Sequence, residues 1–471
     1  MARENLYDMT KGNPTTLLLK FAVPMIVGNI FQQFYNMVDA MVVGRYVGAN
    51  ALAAVGATGS ISFLFFSLAM GFAAGIGIIV SQYFGAKDEA NIKKSIATAI
   101  YVILISSLLM GFVTIIAAQS MMNLLHTPEE IMGDAVLYLR VTGVGFIAVG
   151  AFNGIASILR ALGDAKTPLV FLIVACVINI VLDLVFVIVY NMGVVGVALA
   201  TIIAQAIASV GCMVYAWIKM PLFRMPLHEY VMDREICKKC FLLGIPVALQ
   251  NSLIAVSCIA LQSVVNSFGA TIVAAFTVAN RFEQLIQQPF NSLGAAVATY
   301  TGQNMGANNK ERIKKGFWSA TVISTIFSLL MLPVAWFGGE AIMSLFTSEI
   351  DVIKEGARGI RITSIFYSFL GMIYVTRNVL NGAGDVKFSM FSGIVEVIGR
   401  VGLAKPLTFI PIIGMLSIWF TSGLTWMITG IIGCIRYASG KWESKGIVNS
   451  KPETEVYTEK NRQKCSQPET V

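Results

Sequence analysis

The chain has 471 residues, but only 13% of them are charged and 56% are apolar. An average soluble protein carries about 25% charged residues, so a soluble fold of this length is excluded and the composition reads as a polytopic membrane protein. Lys and Arg outnumber Asp and Glu by 34 to 26, a net charge of +8, but the excess lies in short segments between apolar runs, so no nucleic-acid partner is expected.

Residues 1–16 are polar and the apolar stretch after them is too long for a signal-peptide core, so they read as a cytoplasmic N-terminus. A helix needs roughly 20 apolar residues to cross the hydrocarbon core. Twelve segments qualify, near 17–43, 51–81, 95–118, 135–160, 168–190, 194–218, 240–267, 271–301, 316–338, 355–379, 386–409 and 413–436. The last two are parted by a break near Pro411 to Gly414. The chain divides into a first six-helix lobe at 17–218, a cytoplasmic linker at 219–239, a second lobe at 240–437, and a polar tail at 438–471. The tail is too poor in apolar residues to fold and is expected to be disordered.

Connections between the segments alternate in charge. One set holds Lys87, Lys93 and Lys94, then Arg160 and Lys166, Lys219 to Lys239, Lys310 to Lys315, and Arg377 with Lys387. The other set has Arg45 and Lys405 but carries Glu129, Glu130, Glu340, Glu349 and Asp351. The basic set belongs in the cytoplasm, together with both termini.

The two halves repeat. Phe21-Ala-Val-Pro24 matches Leu243-Gly-Ile-Pro246 at an offset of 222. Gly48-Ala49, Gln82 with Gly85-Ala86, Lys93-Lys94, and Gly163-Asp164 with Lys166 all recur at an offset of 221. Six helices per copy is an even number, so both copies run the same way through the membrane. The expected fold is all-α, with twelve transmembrane helices in two six-helix lobes related by a pseudo-two-fold axis along the membrane normal. Such a duplication suits alternating access and favours a carrier.

Four acids fall inside predicted spans: Asp39, Asp183, Glu283 and Glu396. An ionised side chain at the bilayer centre costs roughly 3 kcal/mol, so each needs a cavity or a partner. Arg400, four residues after Glu396, could neutralise it on the same helix, and Arg281 stands two residues before Glu283. Asp39 and Asp183 have no base within a helical turn.

In the first segment Asn29, Gln32 or Gln33, Asn36 and Asp39 form one polar stripe. In the fifth, Asn179 and Asp183 share a face, as do Thr201 and Gln205 in the sixth, and the fourth adds Asn153. These oxygen-rich groups could hold Na⁺. They could equally share a proton, because adjacent buried carboxylates resist double ionisation. The repeat partners of the two acids are apolar: Ala260 or Leu261 for Asp39, and Ala404 for Asp183. The second lobe has its own stripe, Asn280, Gln284, Gln287 and Asn291. That stripe, with Glu283 and Glu396, is expected to face a substrate cleft, although a neutral stripe can also be interhelical glue. The Gly71 and Gly75 spacing reads as close helix packing.

Other chemistry is poorly represented. The two histidines, His126 and His228, lie in predicted loops. The pair Cys237 and Cys240 is a lone CxxC and reads as two reduced thiols. There is no GxxxxGK[ST] sequence, hence no P-loop nucleotide site.

These residues resemble the multidrug and toxic compound extrusion (MATE) family, closest to its bacterial DinF-like branch. The matching stretches are Phe21-Ala-Val-Pro24, Tyr35-Asn-Met-Val-Asp-Ala-Met-Val-Val-Gly44, Leu159-Arg-Ala-Leu-Gly-Asp-Ala-Lys-Thr-Pro168 and Asn179-Ile-Val-Leu-Asp183, within a likeness spanning about 10–440. The resemblance implies extrusion of cationic or amphipathic organic compounds, driven by H⁺ or Na⁺, with cation-coupling roles for Asp39, Asn179, Asp183 and Thr201. It implies no enzyme activity and no cofactor beyond the coupling ion. The expected setting is a multi-pass monomer in the bacterial plasma membrane. A lipid-linked oligosaccharide flippase would share the two-lobe fold but should line its cavity with more basic residues. A membrane-embedded enzyme would need a nucleophile–base pair or a metal cluster.

Overall fold

A computed structural model describes residues 8–410 and 414–448. The helices are α1 (Pro14–Val42), α2 (Ala49–Gly85), α3 (Glu89–Leu124), α4 (Glu129–Ala161), α5 (Lys166–Leu184), α6 (Gly193–Lys219), α7 (Arg234–Asn266), α8 (Ala270–Gly306), α9 (Lys310–Ser344), α10 (Ile350–Ser364), α11 (Tyr367–Ala383), α12 (Val386–Thr408) and α13 (Ser417–Ala438). The tenth predicted span is thus two helices, α10 and α11, bent by 52° at their junction. Counting that pair once gives twelve membrane-crossing rods in two lobes of six.

Nine described helices, or ten spans with the bent pair, are apolar and long enough to cross a bilayer on composition alone. The other two rods are α8 and α12. They carry Glu283, Glu396 and Arg400, which are buried rather than lipid-facing, so packing, not mean hydropathy, makes them spans.

The helices outrun the predicted segments. Helix α3 continues to Leu124 and α4 starts at Glu129, so the expected 119–134 loop shrinks to a short turn. The 219–239 linker contains two single 3₁₀ turns, at Pro221–Phe223 and Leu227–Glu229, before α7 begins. The tail differs more. Residues 441–444 form a 3₁₀ turn with Trp442 buried, and Ile447 donates its backbone N–H to Gln82 Oε1 at 2.7 Å. An apolar anchor inside a polar stretch holds residues 438–448 in place, against the expectation that these residues are disordered. Residues 1–7, 411–413 and 449–471 lie outside the described residues, and with them most of the expected break near Pro411 to Gly414.

Both acid-bearing helices of the first lobe lose α geometry just after the acid. Helix α1 passes into a π turn at Val43–Val47, and α5 into another at Val185–Val189. Such turns re-aim side chains and are frequent at functional sites.

Buried clusters show how the lobes meet. One joins α2, α3 and α4 to Ile236, Cys240, Leu243 and Val247 of α7; a second joins Leu18, Phe21 and Ala22 of α1 to α8, α9 and α11. The inter-lobe part of each lies toward the end that carries the basic loops. Toward the other end, the clusters around Val43 and Val194, and around Val265 and Trp419, each stay within one lobe. Glycines permit the inter-lobe approach. A Cβ on Gly71 would stand 2.5 Å from Ala248 Cβ, and one on Gly75 would stand 2.9 Å from the Gly244 nitrogen. The Gly71 and Gly75 spacing is therefore a helix contact, made between lobes.

Candidate cation site

Helices α1, α4, α5 and α6 bring the first-lobe polar residues together. Asn179 and Asp183 occupy one face of α5 and are 2% and 0% exposed. The Asn179 side-chain amide donates to Thr201 Oγ1 of α6 at 3.3 Å. Asp39 of α1 approaches Asp183 closely enough for the two carboxyls to interact directly. Tyr35, Cys176, Asn179, Thr201 and Gln205 line a small cavity with room for about one water molecule.

The cluster is rich in acceptors and short of donors. Asp39 Oδ1, both Asp183 oxygens, Asn179 Oδ1 and Gln205 Oε1 are buried with no hydrogen-bond donor among the described residues. Buried polar atoms are ordinarily paired, and an unpaired carboxylate costs several kcal/mol. Five orphaned oxygens on neighbouring helices of one lobe fit a bound cation or proton.

Tyr35 and Tyr138 also face the two carboxyls, as does Cys176 toward Asp39. Sequence reasoning passed over all three. Tyr35 stands one helical turn before Asp39 and Cys176 three residues before Asn179, so helical spacing could have found both. Tyr138 carries no such signal.

The remaining predicted residues do not join this cluster. Asn36 is exposed, and Asn153 donates to Val149 O of its own helix at 2.8 Å. Asn29 donates across the lobes to Ser292 Oγ at 3.0 Å. In α8, Gln284 and Asn291 are exposed and Asn280 is half-buried.

Glu283 and Glu396 are buried inside the second lobe, 5% and 4% exposed, and do not line an open cleft as expected. Glu396 pairs with Arg377 of α11, not with Arg400. Arg377 was expected in a basic loop, but α11 continues past it and leaves it buried. The Gln250 amide, with its oxygen turned toward Arg377, accepts from Nε at 2.7 Å. Arg400 donates to Ser257 Oγ at 2.6 Å and faces Glu283, while Arg281 is exposed. An i,i+4 spacing allows a pair on one helix, but neighbouring helices supplied a better-placed base. The second lobe thus pairs Glu396 with Arg377 and keeps Arg400 within electrostatic reach of Glu283, whose Oε1 has no hydrogen-bond partner among the described residues, and the counterparts Leu261 and Ala404 of the first-lobe acids lie in an apolar cluster. The acceptor-rich, base-free site belongs to the first lobe.

Cys237 and Cys240 are free thiols on α7.

Comparison with known proteins agrees with this architecture. The MatE family model matches twice, over residues 24–185 and 246–404. The two matches begin at Pro24 and Pro246, the repeated prolines. A probable multidrug resistance protein of Bacillus subtilis, YpnP, is 30% identical over 94% of this chain and 99% of its own length. The multidrug export protein MepA of Staphylococcus saprophyticus is 22% identical, covering 92% of each chain. A solved structure described as the outward-facing conformation of a multidrug resistance MATE family transporter superposes with a TM-score of 0.86 at 23% identity, covering 93% of this chain and 98% of that one. With the repeat, the two lobes and both family matches in register, the chain belongs to the MatE family of membrane transporters and is not an enzyme.

Proposed function

We propose that this protein is a cation-coupled antiporter of the bacterial plasma membrane that exports cationic or amphipathic organic compounds by alternating access. The family supplies the transporter, and the named relatives, multidrug resistance and export proteins, point to organic substrates. One observation carries the coupling: five buried oxygens of Asp39, Asn179, Asp183 and Gln205, all in a single lobe, have no hydrogen-bond partner among the described residues.

The mechanism follows from charge. A cation or proton entering the site removes the cost of two neighbouring buried carboxyls. Asp39 is on α1, which also carries Pro24, where the backbone ladder lacks a donor, and which ends in a π turn. Neutralisation of Asp39 lets α1 settle against α5, and α1 also packs on α8 and α9 of the other lobe. A cation drives the change only by binding the two states unequally.

Dye efflux into inverted vesicles, with ΔpH and Na⁺ gradients imposed separately, tests this reading. Efflux driven by one or both gradients is expected. Efflux indifferent to both would overturn the coupling.

A further inference from the structure

The lobes are held together at the basic end by two glutamines in repeat-equivalent positions. Gln82 of α2 is fully buried and donates through Nε2 to the Gly382 carbonyl near the end of α11, in the opposite lobe, at 2.9 Å. Gln303 of α8 is equally buried and donates to the Ala161 carbonyl at the end of α4, again across the lobes, at 3.0 Å. Gly382 and Ala161 are themselves equivalent under the repeat offset of 221. Each glutamine satisfies a carbonyl that its own helix end leaves without a partner. A Cβ on Gly85 would stand 1.8 Å from the Gln303 carbonyl oxygen, and one on Gly306 would stand 1.8 Å from that of Gln82. Glycine is what lets α2 and α8 cross this closely.

The acceptor side of each amide is taken by a segment that flanks the two lobes. Met9, fully buried, donates its N–H to Gln303 Oε1 at 2.8 Å. Its carbonyl accepts from Asn304 Nδ2 and Arg312 Nε, both at 3.1 Å, so the segment before α1 crosses onto the second lobe. Ile447 donates its N–H to Gln82 Oε1 at 2.7 Å, and Ile447 and Val448 pack on the first-lobe cluster. The segment after α13 therefore crosses onto the first lobe. Glu443 ties its near end to Lys314 at 3.2 Å.

We propose that residues 9–12 and 441–448 are exchanged straps that latch the basic-end gate shut, with Gln82 and Gln303 as the two catches. The gate opens only when both amides give up their cross-lobe bonds and the straps let go of the opposite lobe. These two flanking segments are thereby part of the transport cycle. This inference rests on the rocking of two lobes but on neither the coupling ion nor the substrate.

The test reads the gate directly. Spin labels are placed through Glu89→Cys and Glu311→Cys, exposed residues at the starts of α3 and α9, in full-length protein whose native cysteines are replaced. Their distance is measured by pulsed electron resonance. With the latch intact, a short distance dominates. Gln82→Ala, losing two buried hydrogen bonds of ordinary net strength, should raise a longer-distance population roughly tenfold. Gln303→Ala should do the same. Ile447→Pro deletes one N–H and leaves both glutamines in place, so it should raise that population roughly threefold to tenfold. An unchanged distribution in folded Gln82→Ala and Ile447→Pro would overturn the latch. Gradient-driven efflux, followed in parallel, keeps that failure separate from a failure of cation coupling.

Discussion

A carboxylate sealed from water is tolerated when a base, a donor or a bound cation cancels its charge, and the two lobes take different routes. In the second lobe, Glu396 pairs with Arg377, and Arg400 lies within electrostatic reach of Glu283. In the first, Asp39 and Asp183 face each other among acceptors. Opposite mutational signs follow. Glu396→Gln leaves Arg377 buried without its counter-charge and should lower stability by about 3 kcal/mol, seen as a fall in the thermal unfolding midpoint in detergent. Asp183→Asn removes an unpaired charge and should leave that midpoint unchanged or higher, while abolishing coupling. A fall as large as that of Glu396→Gln would show that Asp183 is held by a structural partner. Placing an acid in the second lobe with Ala404→Asp should not rescue Asp183→Asn, because Ala404 lies in an apolar cluster with no acceptor set around it.

Helices and their ends decide which of these residues meet. Spacing alone placed Asn179 with Asp183, and Thr201 with Gln205, because a helix turns predictably. It could not show that Arg377, near the end of the predicted 355–379 span, turns inward to Glu396, since that segment reads as one span and the bend between α10 and α11 sets its second half in a new direction. Nor could it place Trp442, a single apolar residue whose burial holds a polar segment. The π turns after Asp39 and Asp183 are also illegible, because Val43–Val47 and Val185–Val189 look like continuing helix. The glycines of α2 were legible as packing, and their partner was not. Gly71→Val would drive a side chain into Ala248 and should cost about 1–3 kcal/mol. The same measurement of the unfolding midpoint checks it, and an unchanged midpoint would place the α2–α7 contact elsewhere.

For the whole molecule, the repeat was the most informative feature of the sequence. It predicted two parallel six-helix lobes from matched blocks such as Gln82 with Gly85 and Gln303 with Gly306, and the family matches fall on the same two halves. What the blocks do was hidden, since their carbonyl partners are supplied by the opposite lobe. From the charge asymmetry of the connections we propose that the 219–239 linker and both termini face the cytoplasm. A cysteine introduced at exposed Leu227 should resist impermeant thiol reagents in intact cells, and one at exposed Glu130 should react; the reverse pattern would invert the topology.

The central claim is that a cation in the first lobe governs export through Asp39. The decisive measurement is gradient-driven efflux by Asp39→Asn at matched expression. The variant carries a neutral side chain of the same shape, so it should fold, bind dye with reduced affinity, and neither export nor respond to an imposed ΔpH or Na⁺ gradient. Wild-type efflux rates in that variant would contradict the account.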